Sequence, residues 1–466
     1  MSQKIETKGR LSEGQLIALS MWCIGHYFAM GVSNSYFSYF LTNIVMMPAG
    51  DMGTLMFIVR LLSVITVPLQ AALFQNWWIP FGKKHGKYRM YVWVFAPMVS
   101  VLAVLNFVPL YGASRAVLFI YYFLMYFLFY RLYGFPQSAF QPMMARVGTA
   151  NDTPRVTGHR AIFASVAAVI FSASFLPMVN FFGKEDQGRG YIICLIIYQA
   201  VYLVCCLISA HAYKPGDYYP GDEETKKAKT KMSVKQQWEL FKELPLQVAF
   251  WGDLFKNISY FFFVGSTTYY FTCVVQNLNA VTMYMTILNL AGILAAFIVG
   301  PMTQKIGLRN CYLYCYGGMA LGLILAFFFG QGLVGFYIFT IIFRIAYGLS
   351  YSIGLLSWSQ ASEIHMLKTG EDAMGWMMTM YGMPLSLGSA LTAGVVGWVL
   401  GAAGYDGAAA VQSETVVLWI RLMTTLIPGI FAGLAYLLWQ FLWPIKSRKD
   451  QDEHEAKVDA YMSAKA

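Results

Sequence analysis

GYIICLIIYQAVYLVCCLISAHA, residues 190–212, contains no Lys, Arg, Asp or Glu. The stretch that follows it, YKPGDYYPGDEETKKAKTKMSVKQQWELFKELPLQ at 213–247, is crowded with them. An apolar segment of the first kind is long enough to cross a hydrocarbon core of about 30 Å as a helix. In lipid its backbone must satisfy its own hydrogen bonds, which leaves helix as the reading. Lys214-Pro-Gly-Asp-Tyr-Tyr-Pro-Gly ends that helix. Met232–Leu244 then places Val234, Trp238 and Phe241 on one face, with Lys235, Glu239 and Lys242 elsewhere, as an interfacial helix would.

The same reading extends both ways along the 466 residues. Apolar spans fall near 15–42, 53–77, 90–110, 116–140, 159–182 and 190–212, then 248–275, 280–303, 311–329, 335–361, 373–403 and 417–443. The polar stretch divides them six and six. The expected organisation is an N-terminal six-helix bundle over 1–212, a cytoplasmic central loop over 213–247, a C-terminal six-helix bundle over 248–443 and a cytoplasmic tail over 444–466. Residues 447–466 are charged and read as disordered. The fold class is an all-α membrane protein of about 12 transmembrane helices in two bundles, the major facilitator architecture, in which bundles rock about a midplane solute site.

Composition agrees. Hydrophobic residues make up 58% of the chain, charged residues only 12%, and the mean hydropathy is +0.53. Soluble domains carry about 25% charge. The net charge of +10 does not point to nucleic acid, because of where it lies. The segments 2–14, 79–89, 141–160, 213–247, 304–310, 363–372 and 444–466 hold 25 of the 33 Lys and Arg, while the intervening external loops hold Arg115, Lys184 and Arg189. That asymmetry puts both termini in the cytoplasm. The N-terminus lacks a signal-peptide pattern, and the expected location is a bacterial inner membrane. The expected state is a monomer whose partners are lipid and a small solute.

Cys23, Cys194, Cys205, Cys206, Cys273, Cys311 and Cys315 lie in or beside apolar spans and form no disulfide framework. Cys311 and Cys315 share a helix face without a His or carboxylate to complete a metal site. The sequon Asn257-Ile-Ser259 falls inside a span. No cofactor or metal motif occurs. His26, His159 and His211 are isolated, and neither GxSxG nor HExxH occurs, so the sequence argues against an enzyme.

Ionisable groups inside spans are costly and mark function by default. Arg60, Arg131, Arg344, Asp253 and Lys256 lie within spans, Arg160 opens the fifth, and Arg421 lies near the outer end of the twelfth. Arg160 and Arg421 can snorkel to a surface, and Asp253 and Lys256, at i and i+3, can simply pair. Arg131 and Arg344 can also serve as interhelix tethers. Unpaired guanidinium groups nonetheless want an anion or polar solute oxygens. Tyr27, Tyr351 and Trp358 join Arg60, Arg131, Arg160 and Arg344 as expected substrate-binding residues, since sugar sites use aromatic faces. Asp253, Lys256 and Glu363 are expected to gate the cytoplasmic side.

From helix two the chain resembles the glycoside–pentoside–hexuronide:cation symporters, the melibiose permease family, over nearly its whole length. Arg60-Leu-Leu-Ser63-Val-Ile-Thr66-Val67-Pro68 is similar in spacing to that family's Arg-x-x-Asp-x-x-x-Asp-Pro, and Gly86-Lys87-Tyr88 to its Gly-Lys-Phe. Ala150-Asn-Asp-Thr-Pro-Arg155 and Arg160-Ala-Ile-Phe-Ala-Ser165 look like its loop into helix five. Tyr269-Tyr-Phe-Thr272, Gly388-Ser-Ala390 and Gly404-Tyr405 look like its second half. The resemblance implies a sugar site and a coupling-cation site.

The departures fall on those sites. The two helix-two aspartates are Ser63 and Val67, a helix-one carboxylate is Tyr27, a helix-four aspartate is Gly134, and a hydroxyl of the cation site is Arg131. The helix-eleven lysine has no counterpart. A sodium ion needs hard, negative oxygen ligands, and a fixed guanidinium in its place repels it by at least about a kcal/mol. Ser63, Thr66, Val67 and Arg131 thus form a degenerate cation site, with Arg131 as a tethered surrogate. The expected function is secondary transport of a sugar-like solute (glycoside, uronide, sulfonated or other acidic sugar), not coupled through the usual Na⁺ site. Two alternatives stand: a conventional H⁺ or Na⁺ symporter with a relocated coupling site, and a transporter-like sensor.

Overall fold

The computed structural model describes residues 11–145, 152–214, 217, 219, 234–330, 332–371 and 373–465, and every regular element among them is helical. The first span is assembled from α1 (Glu13–Ser20), α2 (Trp22–Ser35) and α3 (Phe37–Tyr39), and ends in a π-helical turn, Phe40–Ile44. Ser12 starts it with a capping box, its hydroxyl accepting from Gln15 N while Gln15 Oε1 accepts from Ser12 N. Then follow α4 (Ala49–Asn76), the short α5 (Gly82–His85), α6 (Lys87–Leu105), α7 (Arg115–Ala145), α8 (Asp152–Gly183) and α9 (Gln187–Ala212). Asp217, in the central loop, reaches back to cap α6, accepting from Tyr88 N at 3.0 Å and Arg89 N at 3.2 Å.

The second half opens with α10 (Val234–Phe241), whose Trp238 is exposed as an interfacial helix requires. Residues 232–233 of the expected helix lie outside the described residues. Next come α11 (Leu244–Tyr269) with a π turn at Tyr270–Val274, α12 (Ala280–Ile306), α13 (Leu308–Phe329), α14 (Leu333–Ser352) and α15 (Gly354–Thr369). The chain continues through α16 (Met374–Met380), α17 (Met383–Ala403), α18 (Glu414–Arg421), a π turn at Leu422–Leu426, and α19 (Ile427–Leu442). Ten helices among the described residues are long and apolar enough to cross a membrane. The helices at Leu244–Tyr269, which carries Asp253 and Lys256, and Ala280–Ile306 complete the second bundle.

Two differences from the sequence reading stand out. The expected single helices at 335–361 and 373–403 are each broken, at Ile353 and at Tyr381–Gly382. The tail, expected to be disordered, is a helix, α20 (Arg448–Lys465). Ser447 and Asp450 cap it reciprocally: Ser447 Oγ accepts from Asp450 N at 3.1 Å and Asp450 Oδ2 from Ser447 N at 2.9 Å. It is held under the second bundle by Gln451 Oε1 accepting from Leu308 N at 2.8 Å, by His454 against Glu363 at 3.2 Å, and by the Tyr461 hydroxyl on Gly370 O. Docking supplies the partners that an isolated charged segment lacks.

The halves echo each other in detail. Tyr39-Phe-Leu-Thr42-Asn-Ile-Val45-Met and Tyr269-Tyr-Phe-Thr272-Cys-Val-Val275-Gln occupy matching places. In the first, Val45 N donates to Phe40 O and Met47 N to Leu41 O. In the second, Val275 N donates to Tyr270 O and Asn277 N to Phe271 O. Met46 and Gln276, one in each copy, both take positive φ, 61° and 56°. The first half packs around two buried clusters and the second around one large one.

Candidate functional site

The bundles meet most closely at the end away from the chain termini. There α4 and α17 touch through glycine: a Cβ added to Gly397 would lie 2.3 Å from Gly53 Cα, and one added to Gly53 would lie 2.7 Å from Gly397 Cα. No other residue permits that approach. The repeated segments close on each other. The Thr42 hydroxyl bonds the Tyr269 hydroxyl at 2.9 Å, and Tyr39, in the mirror position, lies 6.2 Å from the Tyr269 ring. Tyr405 donates to Asn43 at 2.9 Å, and Asn180 to Asn279 at 2.8 Å. Towards the termini, cross-bundle hydrogen bonds among the described residues end at Asn289 Nδ2 to Ala168 O, 3.2 Å, and Arg60 to Ser389 O, 3.0 Å. Beyond them Tyr351 is 57% exposed although Arg160 and Cys23 of the other bundle lie within its electrostatic reach. Among the described residues the interface is closed at one end and carries no cross-bundle hydrogen bonds at the other.

Just inside the closure lies a narrow cavity of about 50 Å³, whose lining includes Tyr27, Ser35, Ser172, Tyr260, Asn289 and Arg344. Ligand pockets measure about 300 Å³ or more, so the walls must part for a solute. Arg344 Nη2 donates to Asn289 Oδ1 at 3.2 Å. Its guanidinium lies 5.7 Å from the Tyr260 ring and 5.8 Å from Tyr347, which stack on each other at 4.0 Å. Tyr27 faces Asn289 across the cavity from the opposite bundle. The groups around Arg344 are Tyr260, Tyr27, Tyr347 and Asn289, all neutral. A half-buried cation so placed retains the capacity to pair with an anion.

The remaining expected site residues are spread out. Arg60 is buried, and its donors are taken by Tyr126 and, across the bundles, Ser389 O. It borders a second inter-bundle pocket with Ser38, Gly265 and Thr392. Arg160 lies near Cys23 and His26. Arg131 and Thr66, brought together by sequence register alone, do meet: Arg131 Nη1 donates to Thr66 Oγ1. The hydroxyls of Ser63 and Thr66 also bond back to Val59 O and Leu62 O. Gln70 Nε2 donates to Arg131 O at 3.2 Å, and a Cβ at Gly134 would lie 2.1 Å from that nitrogen, so Gly134 leaves room for Gln70. The Val67 side chain lies outside the described residues.

Trp358 stands apart from the cavity. It is fully buried in the second bundle, its indole N–H donating to Asp253 Oδ2 at 2.8 Å. The other carboxylate oxygen takes the Lys256 ammonium. Asp253 and Lys256 thus form a closed pair, their side chains 4% and 3% exposed. Glu363 lies at the termini end, between Ser359 and His454. Sequence reasoning missed Asn289, Ser172 and Tyr260 because uncharged residues in a span carry no alarm. The Tyr-x-x-Thr repeat was a signal that could have found the closure.

The sequence profile of the MFS/sugar transport protein family matches residues 20–447. The chain is 22% identical over 453 residues to a glucuronide carrier protein homolog of Escherichia coli (strain K12), covering 94% of each. It is 24% identical over 389 residues to an isoprimeverose transporter of Lactiplantibacillus pentosus, covering 80% of this chain and 76% of that one. Its fold is similar to that of a bacterial homologue of the iron transporter ferroportin in an inward-facing state, with a TM-score of 0.64 at 11% identity, over 93% of this chain and 98% of that one.

Proposed function

The chain belongs to the MFS/sugar transport protein family, a multi-pass secondary transporter and not an enzyme, and on that premise we propose that it carries a small acidic sugar or related organic anion by alternating access, without coupling through a helix-two cation site. The two bundles, residues 1–212 and 248–443, are the rocking units. The termini face the cytoplasm of a bacterium, so the conformation described above opens inward. The observation that carries the solute reading is Arg344: a cation on the inter-bundle cavity, flanked by tyrosine faces and with neutral partners among the described residues. Its fork grips a carboxylate or a sulfonate, while Tyr260 offers a sugar face. The names of the glucuronide carrier protein homolog and the isoprimeverose transporter agree with a sugar-like solute.

Arg131 on Thr66 supports the coupling reading. A permanent cation stands where Ser63, Thr66 and Val67 replace a carboxylate-lined ion site, and an ion entering there meets repulsion instead of ligands. Asp253 offers no relocated site in this state, because Lys256 and Trp358 occupy it.

The test of the solute reading is uptake into proteoliposomes, screening labelled uronides, sulfonated sugars and neutral glycosides with the wild type and Arg344→Gln. An anionic solute is taken up by the wild type and loses about ten- to 150-fold in affinity in the variant, the value of a charge-assisted hydrogen bond of about 1.5–3 kcal/mol. Preference for neutral glycosides, unchanged in Arg344→Gln, overturns it.

A further inference from the structure

On the outer face of the first bundle, α1 and α9 are pinned together where Ser209 Oγ donates to Ala18 O at 2.9 Å. One turn nearer the terminus they part: a Cβ on Gly14 would meet nothing within 4 Å. The parting leaves a trough of about 670 Å³ between α1, α6 and α9. Its walls are apolar, formed by Ala18, Trp93, Leu207 and Ile208, and its head carries His211 and Lys214, both exposed where α9 ends.

The surroundings of that head are cationic. The Arg89 guanidinium lies 4.8 Å from the Trp93 ring, donates to His85 O at 3.2 Å, and its buried Nε has no hydrogen-bond partner. Just before it, α5 exposes Lys83 and Lys84. Among the described residues two carboxylates come near, and both are engaged. Asp217 accepts from the Tyr88 and Arg89 backbone, and Glu13 faces His159 of α8 at 3.5 Å.

We propose that this trough holds an anionic phospholipid, with its phosphate at Lys214 beside Trp93, in the field of the buried Arg89 guanidinium, and an acyl chain along Ala18, Leu207 and Ile208. Charge complementarity selects this occupant. The cations cluster at the level where α1 and α6 begin and α9 ends, which is the level of a headgroup, and the apolar groove runs from there into the span. Basic pockets between helices at a cytoplasmic surface take anionic headgroups, and each lysine or arginine there contributes about fivefold to binding. The site faces lipid and shares no residue with the solute cavity, so it stands independently of the transport reading.

The full chain is reconstituted in vesicles of phosphatidylcholine doped with phosphatidylglycerol, extracted gently, and its retained lipids counted by native mass spectrometry. The wild type retains phosphatidylglycerol in preference to phosphatidylcholine. Lys214→Gln reduces that retention about fivefold and Lys214→Gln with His211→Gln reduces it further. Lys305→Gln, an exposed lysine on the other bundle, leaves it unchanged. Melting temperature is followed alongside, and Gly14→Leu, which fills the trough without touching its charges, also expels the lipid. Equal retention of both lipids, undiminished retention in the folded lysine variant, or a protein found in the trough in place of lipid overturns the proposal.

Discussion

Gly397→Ala probes the closure of the two bundles with a single methyl. The added Cβ would lie 2.3 Å from Gly53 Cα, 2.5 Å from Gly53 N and 2.7 Å from Ala49 O. All three are backbone atoms of α4 or its first residue and cannot rotate away. Ordinary contact requires α4 to retreat by about 1 Å, and overpacking of this kind costs about 1–3 kcal/mol. The cost falls only on the state in which α4 and α17 touch, because the gain in helix propensity from Ala is the same in every state. At about 1.4 kcal/mol per tenfold, the closed state loses about five- to 150-fold in population against the state open at this end. Paired spin labels at Glu185→Cys and Val411→Cys, exposed positions at the closed end of opposite bundles, read this in a background freed of the seven native cysteines. The distance distribution shifts to longer values in Gly397→Ala. Gly50→Ala, on the facing helix α4 but with nothing within 4 Å of its Cβ, leaves the distribution unchanged. An unchanged distribution in folded Gly397→Ala refutes the glycine contact as the closure.

Two further perturbations test the scaffold. Asp253→Asn or Lys256→Met strands one charge of a pair no more than 4% exposed and lowers thermal stability in detergent by about 3–5 kcal/mol, whereas the double variant recovers most of the loss; single variants that melt like the wild type contradict this. Asp186 caps α9, and hydrogen bonds from Tyr111 and then from the Arg189 and Gly188 backbone hold its carboxyl below the usual range. Its stabilising contribution is therefore complete above the ordinary carboxylate pKa of about 3.9 and is lost as pH falls through the lower folded value. Melting curves across that interval fall more steeply for the wild type than for Tyr111→Phe, and equal slopes speak against the cap.

What the sequence disclosed and what it withheld follow from range. The spans were legible because exclusion of charge from lipid is a local property, and Arg131 could be set beside Thr66 because helical register carries that far. The breaks at Ile353 and Gly382 were not legible, since packing across helices decides them. Arg60 looked like a free cation in sequence, but Tyr126 and Ser389 O, far off in the chain, take its donors. Trp358 looked like a sugar platform, and its N–H is spent on Asp253. The tail helix was readable after all: Ser447-x-x-Asp450 is a capping signature, overshadowed by the charge that followed it. Asn289 and Ser172 gave no sequence signal, because their significance comes only from facing Arg344 and the opposite bundle.

The central claim is that Arg131 replaces the coupling ion, and solute uptake by proteoliposomes with and without imposed Na⁺ and proton gradients tests it most directly. Uptake that equilibrates, never concentrates the solute and ignores both gradients is the predicted result. Accumulation above the external concentration, driven by either gradient, contradicts it.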